Sequence, residues 1–181
     1  TGSSFCHAIR CSKDLIKRGS YLEYYDVAVV GAGVVGSNAA YVTAKKNLKT
    51  LLIEEHKVVG TPPHCAGLLY HKALEEFNIS KDSILNEIKG AHLYSPSGMA
   101  LSLQRNHVDS YVVDRQILDL KLAERACDSG AILLNDTKCY DLVKDREGWL
   151  VKLSRNKSRT ECNARMIIDA EGWKSSLTEK L

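Results

Sequence analysis

Gly31, Gly33 and Gly36 stand in the run Gly31-Ala32-Gly33-Val34-Val35-Gly36, directly after the apolar stretch Tyr25-Asp26-Val27-Ala28-Val29-Val30. A second apolar run, Lys49-Thr50-Leu51-Leu52-Ile53, ends in Glu54, 23 residues beyond Gly31. Residues of these types at this spacing suit one chemistry, the holding of an adenine dinucleotide. Gly31 permits a tight turn out of a strand. Gly33 lets backbone N–H groups approach a pyrophosphate with no Cβ in the way. Gly36 lets the following helix lie close to the sheet. The helix N-terminus offers unpaired N–H groups and a positive dipole end to the phosphates. Glu54 can accept hydrogen bonds from a ribose diol, and its charge repels a 2′-phosphate. A purely structural glycine-rich turn is the alternative; the strand before it, the helix after it and the acid at the right distance favour the nucleotide.

These residues require a βαβ unit to position them. The pattern predicts a strand over 25–30, a helix over 37–46 and a strand over 49–53. Residues 60–69 read as a loop from their Pro and Gly content. A short helix follows over 71–77, and another over 82–87. The period then changes to two, predicting strands over 91–94 and 99–103 about the turn Ser95-Pro96-Ser97-Gly98, and a further extended run over 110–113. Asp114 caps a helix in which Ile117, Leu118, Leu122, Ala123 and Ala126 recur at helical spacing, and Gly130 stops it. A strand over 131–134, a hairpin of 139–144 with 149–153, and a last apolar strand over 164–169 complete the order. The whole reads as an α/β nucleotide-binding domain with an inserted β region.

Bulk properties narrow the class. With 181 residues, 44% hydrophobic and 26% charged, the chain can build a sizeable core. A net charge of +3 is too small and too dispersed to argue for nucleic acid. No apolar run approaches the roughly 20 residues of a membrane span, which leaves peripheral membrane contact open. Cys6, Cys11, Cys65, Cys127, Cys139 and Cys162 are scattered, with no CxxC pair. The histidines lack ligand spacing, so no metal site is expected. Scattered thiols read as reduced cysteines of a cytoplasmic protein. Residues 1–24 are basic and differ in character from the rest of the chain; they read as an extension outside the fold, with a short helix around 13–18. Residues 25–181 read as the domain itself.

Four stretches together resemble a known family. They are Tyr25-Asp26-Val27 through Gly36 with Ser37, Ala39 and Ala40; Gly60-x-Pro62-x-x-Cys65-x-Gly67-Leu68; Leu93-Tyr94-Ser95-Pro96-x-Gly98 with Tyr111-Val112-Val113-Asp114-Arg115-x-x-Leu118-Asp119 and Leu122-Ala123; and Ile167-Ile168-Asp169-Ala170-Glu171-Gly172 with Ser175 or Ser176. In these the chain is similar to the N-terminal part of the geranylgeranyl reductase family of FAD-dependent oxidoreductases, especially the archaeal digeranylgeranylglycerophospholipid reductases. The resemblance implies a Rossmann-like FAD-binding fold of the glutathione reductase and p-hydroxybenzoate hydroxylase kind. It implies that Gly31, Gly33, Val35 and Gly36 line the FAD pyrophosphate and that Glu54 holds the adenosine ribose. Cys65, Ala66 and Gly67 would lie along the flavin. Arg115 would reach the cofactor from its helix start, where a guanidinium can pair with phosphate. The backbone of Cys139 would lie near adenine, and Ala170 and Gly172 would belong to a second flavin fingerprint. Related flavoproteins often have Asp where this chain has Glu171.

The implied reaction is hydrogenation of isoprenoid double bonds in membrane lipid precursors, with Cys65 as the candidate catalytic residue, tuning the flavin or relaying a proton. The resemblance leaves the electron donor unnamed. Other readings of single residues stand beside these: Cys65 as a packing residue, Arg115 as a solvated helix-start arginine, and Cys139 as a core side chain. Family members continue for roughly as long again past the second fingerprint, so the expectation is a fragment lacking the substrate domain. A non-catalytic or partner-dependent nucleotide-binding module is the alternative, and a fragment of a related flavin monooxygenase or dehydrogenase is a third reading.

Overall fold

The computed structural model describes residues 23–77, 79–173 and 176–178. The expected extension, with its helix around 13–18, lies almost wholly outside the described residues. In chain order the elements are β1 (Tyr24–Val30), α1 (Val34–Lys45), β2 (Thr50–Ile53), β3 (Leu68–Tyr70), α2 (His71–Glu76), β4 (Ile84–Ile88), β5 (Gly90–Tyr94), β6 (Ala100–Gln104), β7 (Ser110–Val113), α3 (Arg115–Asp128), β8 (Ile132–Leu134), β9 (Lys138–Lys144), β10 (Trp149–Arg155) and β11 (Ser158–Asp169). The described residues fall into two compact units. One runs up to Thr61 and resumes at Asp119; the other is Pro62–Leu118.

The first unit is built on a sheet of order β8-β2-β1-β11-β10-β9. β1, β2, β8 and β11 are parallel, while β10 and β9 add an antiparallel flank. Parallel strands covered on both faces need continuous apolar sequence. β2 meets this with four buried residues, and Leu51, Leu52 and Ile53 are essentially inaccessible. Each such side chain contributes about 1.5–3 kcal/mol through burial. Val27, Val29 and Leu52 pack against Ala40 and Ala44 of α1 and Ala123 and Ala126 of α3. Ala28, Val30, Leu51 and Ile53 face the opposite layer with Val151, Leu153, Cys162 and Leu177. The alanines on the helices let them lie close to the strands.

Local chemistry sets the boundaries. Asn47 takes φ 60° and donates its N–H to Ala44 O, ending α1 in the left-handed conformation that Asn tolerates. Asp114 Oδ1 accepts the N–H groups of Gln116 and Ile117, the expected cap of α3. Asn156 and Lys157 both have positive φ, as a two-residue hairpin between β10 and β11 demands. β11 runs twelve residues, well beyond the expected 164–169, because its first half completes that hairpin.

The second unit holds a sheet of order β3-β7-β4 and a separate β5–β6 hairpin. The helix expected over 82–87 is not formed. Lys81–Ser83 make a single 3-10 turn, capped by the Ser80 side chain, and Ile84–Ile88 pair with β7 as β4. Ser80 and Asp82 favour capping over helix propagation, and Ile84 and Ile88 gain cross-strand partners. The loop expected over 60–69 also ends early, since Leu68–Tyr70 pair with β7. Among the described residues, no helix is long and apolar enough to cross a membrane.

Candidate nucleotide-binding site

β1 lies between β2 and β11, both parallel to it, so parallel strands are added on either side of it. The carboxyl end of such a strand is where open α/β sheets bind ligands. The segment 31–36 sits there, and the structure separates its three glycines by what each one touches. Gly31 has φ +100°, and a Cβ on it would lie 2.3 Å from Ala170 O. A Cβ on Gly36 would lie 1.8 Å from Gly31 O and 3.2 Å from the Ala170 side chain. These two glycines let the turn, the helix and the end of β11 close on one another. Gly33 differs: a Cβ there would meet nothing within 4 Å. Among the described residues, nothing packs over Gly33.

Gly33 is also the N-cap of α1, with φ −71° and ψ −172°. It offers no side-chain cap, and the first turn carries no acidic residue. The N–H groups of that turn are thus left for an external acceptor, with the helix dipole favouring an anion. Val35 extends from the same turn and is 71% exposed.

Glu54 follows β2 and is buried. Its Oε2 accepts the N–H of Ala32, inside the glycine turn, at 2.9 Å. Its Oε1 accepts the N–H of His56 at 2.9 Å and meets His56 Nδ1 at 2.6 Å. The backbone of Glu54 is tied to its neighbours as well, since its N–H donates to Leu134 O and its carbonyl accepts the N–H of Thr137. Ser37 is buried and donates Oγ–H to Ala32 O at 2.9 Å, fixing the turn from the helix side. Ala32 and Ser37 stand in the sequence motif without an assigned role, and His56 and Thr137 stand outside it. A serine directly after the last glycine, and a histidine two residues beyond the acid, were the available signals.

At the end of β11, Ala170 donates its N–H to Val30 O, and Asp169 Oδ1 accepts the N–H of Glu171. Glu171 turns its carboxylate onto the following segment, where Oε2 accepts the N–H groups of Ser176 and Leu177 at 3.0 and 3.1 Å. Gly172 has φ +87° and open space where a Cβ would stand. Cys139 lies on β9 with its side chain in the core; burial pushes its thiol up to about 12, against a smaller lowering by its bond to Asp141 O. Gly31, Gly33, Val35, Gly36, Glu54, Cys139, Ala170 and Gly172 all belong to the first unit.

Cys65, Ala66, Gly67 and Arg115 belong to the second unit. Cys65 and Ala66 are exposed, and Cys65 Sγ accepts the N–H of Gly67 at 3.5 Å. Gly67 has φ +74°, and a Cβ on it would lie 2.3 Å from Val113 O, so it is the close contact to β7 that demands glycine there. Arg115 is half-buried in the first turn of α3, one residue after the capping Asp114.

A βαβ unit with a glycine turn at the reversal point of a mostly parallel sheet defines a dinucleotide-binding protein of Rossmann type. The chain belongs to the FAD dependent oxidoreductase family, which it matches over residues 26–173. It is 36% identical over 159 residues to a digeranylgeranylglycerophospholipid reductase of Methanocaldococcus jannaschii, covering 87% of this chain and 40% of that protein. A digeranylgeranylglycerophospholipid reductase of Thermoplasma acidophilum is 35% identical over 161 residues, covering 85% of this chain and 41% of that protein. Among solved structures, a geranylgeranyl bacteriochlorophyll reductase-like protein of Thermoplasma acidophilum superposes with a TM-score of 0.81 at 33% identity, covering 88% of this chain and 42% of that one. The chain thus spans about two fifths of the length of these relatives.

FAD is the cofactor of this family, and the residues present fit its ADP half. The uncovered space over Gly33, the uncapped α1 N-terminus and the buried carboxylate of Glu54 beside the turn supply, in one unit, the donors and acceptor that a pyrophosphate and a ribose require.

Proposed function

We propose that this chain is the N-terminal, FAD-holding part of a reductase that saturates isoprenoid double bonds in membrane lipid precursors. The observation that carries the reading is the open space over Gly33 at the start of an uncapped helix, with Glu54 bonded into the same turn. The 36% identity to a digeranylgeranylglycerophospholipid reductase supports the substrate class. In this reading Gly31, Gly33, Val35 and Gly36 hold the pyrophosphate and Glu54 the adenosine ribose. The backbone at Cys139 borders adenine, and Ala170 and Gly172 border the flavin side. Arg115 supplies a cation for phosphate, and Cys65, Ala66 and Gly67 run along the flavin.

FAD held by these residues would, once reduced, supply the hydride for one carbon of the alkene. The protein's own residues then have two roles, to orient the cofactor and to deliver a proton to the second carbon. Cys65 is the candidate for the second role, because its thiol is exposed and can exchange its proton with water. On this reading the protein is cytoplasmic and makes peripheral contact with a membrane surface, where its lipid substrate resides.

The alternative reading is a nucleotide-binding module that works only with a partner chain. The visible spectrum of the purified chain separates the two. Flavin bands near stoichiometry support a self-sufficient FAD site; a colourless protein that takes up no added FAD refutes it.

A further inference from the structure

His56 carries a contact that the motif does not explain. A carboxylate offers about four acceptor positions, two on each oxygen. On Glu54, Oε1 takes both the backbone N–H of His56 at 2.9 Å and the ring Nδ1 at 2.6 Å. Oε2 takes the Ala32 N–H at 2.9 Å. The protein thus fills both positions on Oε1 and one on Oε2, so a ligand hydroxyl is directed to Oε2. Because a carboxylate only accepts, Nδ1 must carry the proton in this contact.

We propose that His56 sets how Glu54 recognises a ribose: by occupying Oε1, it restricts Glu54 to one hydroxyl of the 2′,3′ pair. This rests on the nucleotide reading above and adds a specificity determinant to it. The contact is selective in its geometry. The Glu54 side chain is 10% exposed and fixed at the turn, whereas that of His56 is 44% exposed and occupies the outer side of the carboxylate. The His56 backbone is held independently, since its carbonyl accepts the N–H of Asp136. Removing the ring therefore frees one acceptor position on Oε1 and leaves the chain path intact. The charged neighbours do not compete for Glu54: Glu55 pairs with Lys138, and Asp136 lies near Arg155.

The test is an NMR titration of the intact chain with ADP, 2′-deoxy-ADP and 3′-deoxy-ADP, repeated for His56→Ala and His56→Asn. In the native chain one deoxy analogue binds about tenfold more weakly than ADP, and the other within about twofold of it. In His56→Ala both analogues bind more weakly than ADP. His56→Asn, whose amide N–H can stand where Nδ1–H stood, restores the native pattern. Equal weakening of both analogues in the native chain, or a native pattern in His56→Ala, overturns the proposal. The imidazole nitrogen spectrum gives a readout without nucleotide. An Nδ1-protonated ring supports the proposal, and an Nε2–H ring with bare Nδ1 overturns it. Failure of the native chain to bind ADP overturns the nucleotide reading and the proposal together, whereas the wrong tautomer alone overturns only the proposal.

Discussion

Gly33→Val tests whether the turn was built for a ligand or for the fold. The structure gives the two costs separately. A Cβ at Gly33 meets nothing within 4 Å, and φ −71° is open to any residue. The remaining penalty is a poorer helix N-cap, about 1 kcal/mol. For a chain of this size that lowers the melting temperature by about 2–4 °C. A bound pyrophosphate would lose far more. The valine side chain occupies the space that phosphate oxygens need to reach the first-turn N–H groups. Hydrogen bonds to a charged acceptor are worth about 1.5–3 kcal/mol each. Losing two weakens binding by about 3–6 kcal/mol, about a hundredfold or more. Gly31→Ala and Gly36→Ala are the controls. Their added methyls would stand 2.3 Å and 1.8 Å from backbone carbonyl oxygens, so the fold itself must shift. Thermal unfolding followed by circular dichroism, paired with FAD titration by flavin fluorescence, reads both quantities. Gly33→Val should melt near the parent and bind FAD at least a hundredfold more weakly, while the two controls unfold early. Parent-like FAD affinity in Gly33→Val would refute the placement of the pyrophosphate, and early unfolding of Gly33→Val would refute the separation of roles.

Three further outcomes follow from the structure. Glu171→Ala removes the acceptor for the Ser176 and Leu177 N–H groups and loosens Leu177, which is 1% exposed; it should cost about 1–3 kcal/mol in urea unfolding, and an unchanged midpoint refutes the capping role. Cys139 and Cys162 are pushed by burial from the ordinary 9.0 up to about 12. The unfolded chain therefore releases these protons near pH 9 and the folded chain near pH 12, so stability present below pH 9 falls by about 1.4 kcal/mol per pH unit per thiol between them. Denaturation midpoints across that range check the slope, which the double Cys→Ala variant should flatten. Iodoacetamide at neutral pH should modify Cys65, which is exposed, well before the buried Cys139 and Cys162; peptide mass mapping that finds all three alkylated at one rate contradicts the described burial.

The parts of this fold that could be read from sequence are those set by one or two neighbouring residues. Asp114 caps α3 because a short acceptor before an apolar period has few other uses. β1 and β2 are visible as apolar runs because a parallel strand covered on both faces has no polar side to display. Residues 81–88 show where this fails. Ser80 and Asp82 signal a helix start, yet the chain makes a single turn and enters β4, because β7 offers Ile84 and Ile88 partners that no local rule contains. Two partners of Glu54, Ala32 and Thr137, were illegible for the same reason. Ala32 is 22 residues away and Thr137 lies further still, and both reach Glu54 only through the register of β1, β2 and β8. The glycines carry the point furthest. In the sequence Gly31, Gly33 and Gly36 are one motif, and any of them could be there for a turn, a close contact or a ligand. The fold assigns the close contacts to Gly31 and Gly36 and leaves Gly33 without a structural demand. On the proposed reading, a glycine that the described residues do not require for packing, standing at an uncapped helix start, makes room for a pyrophosphate.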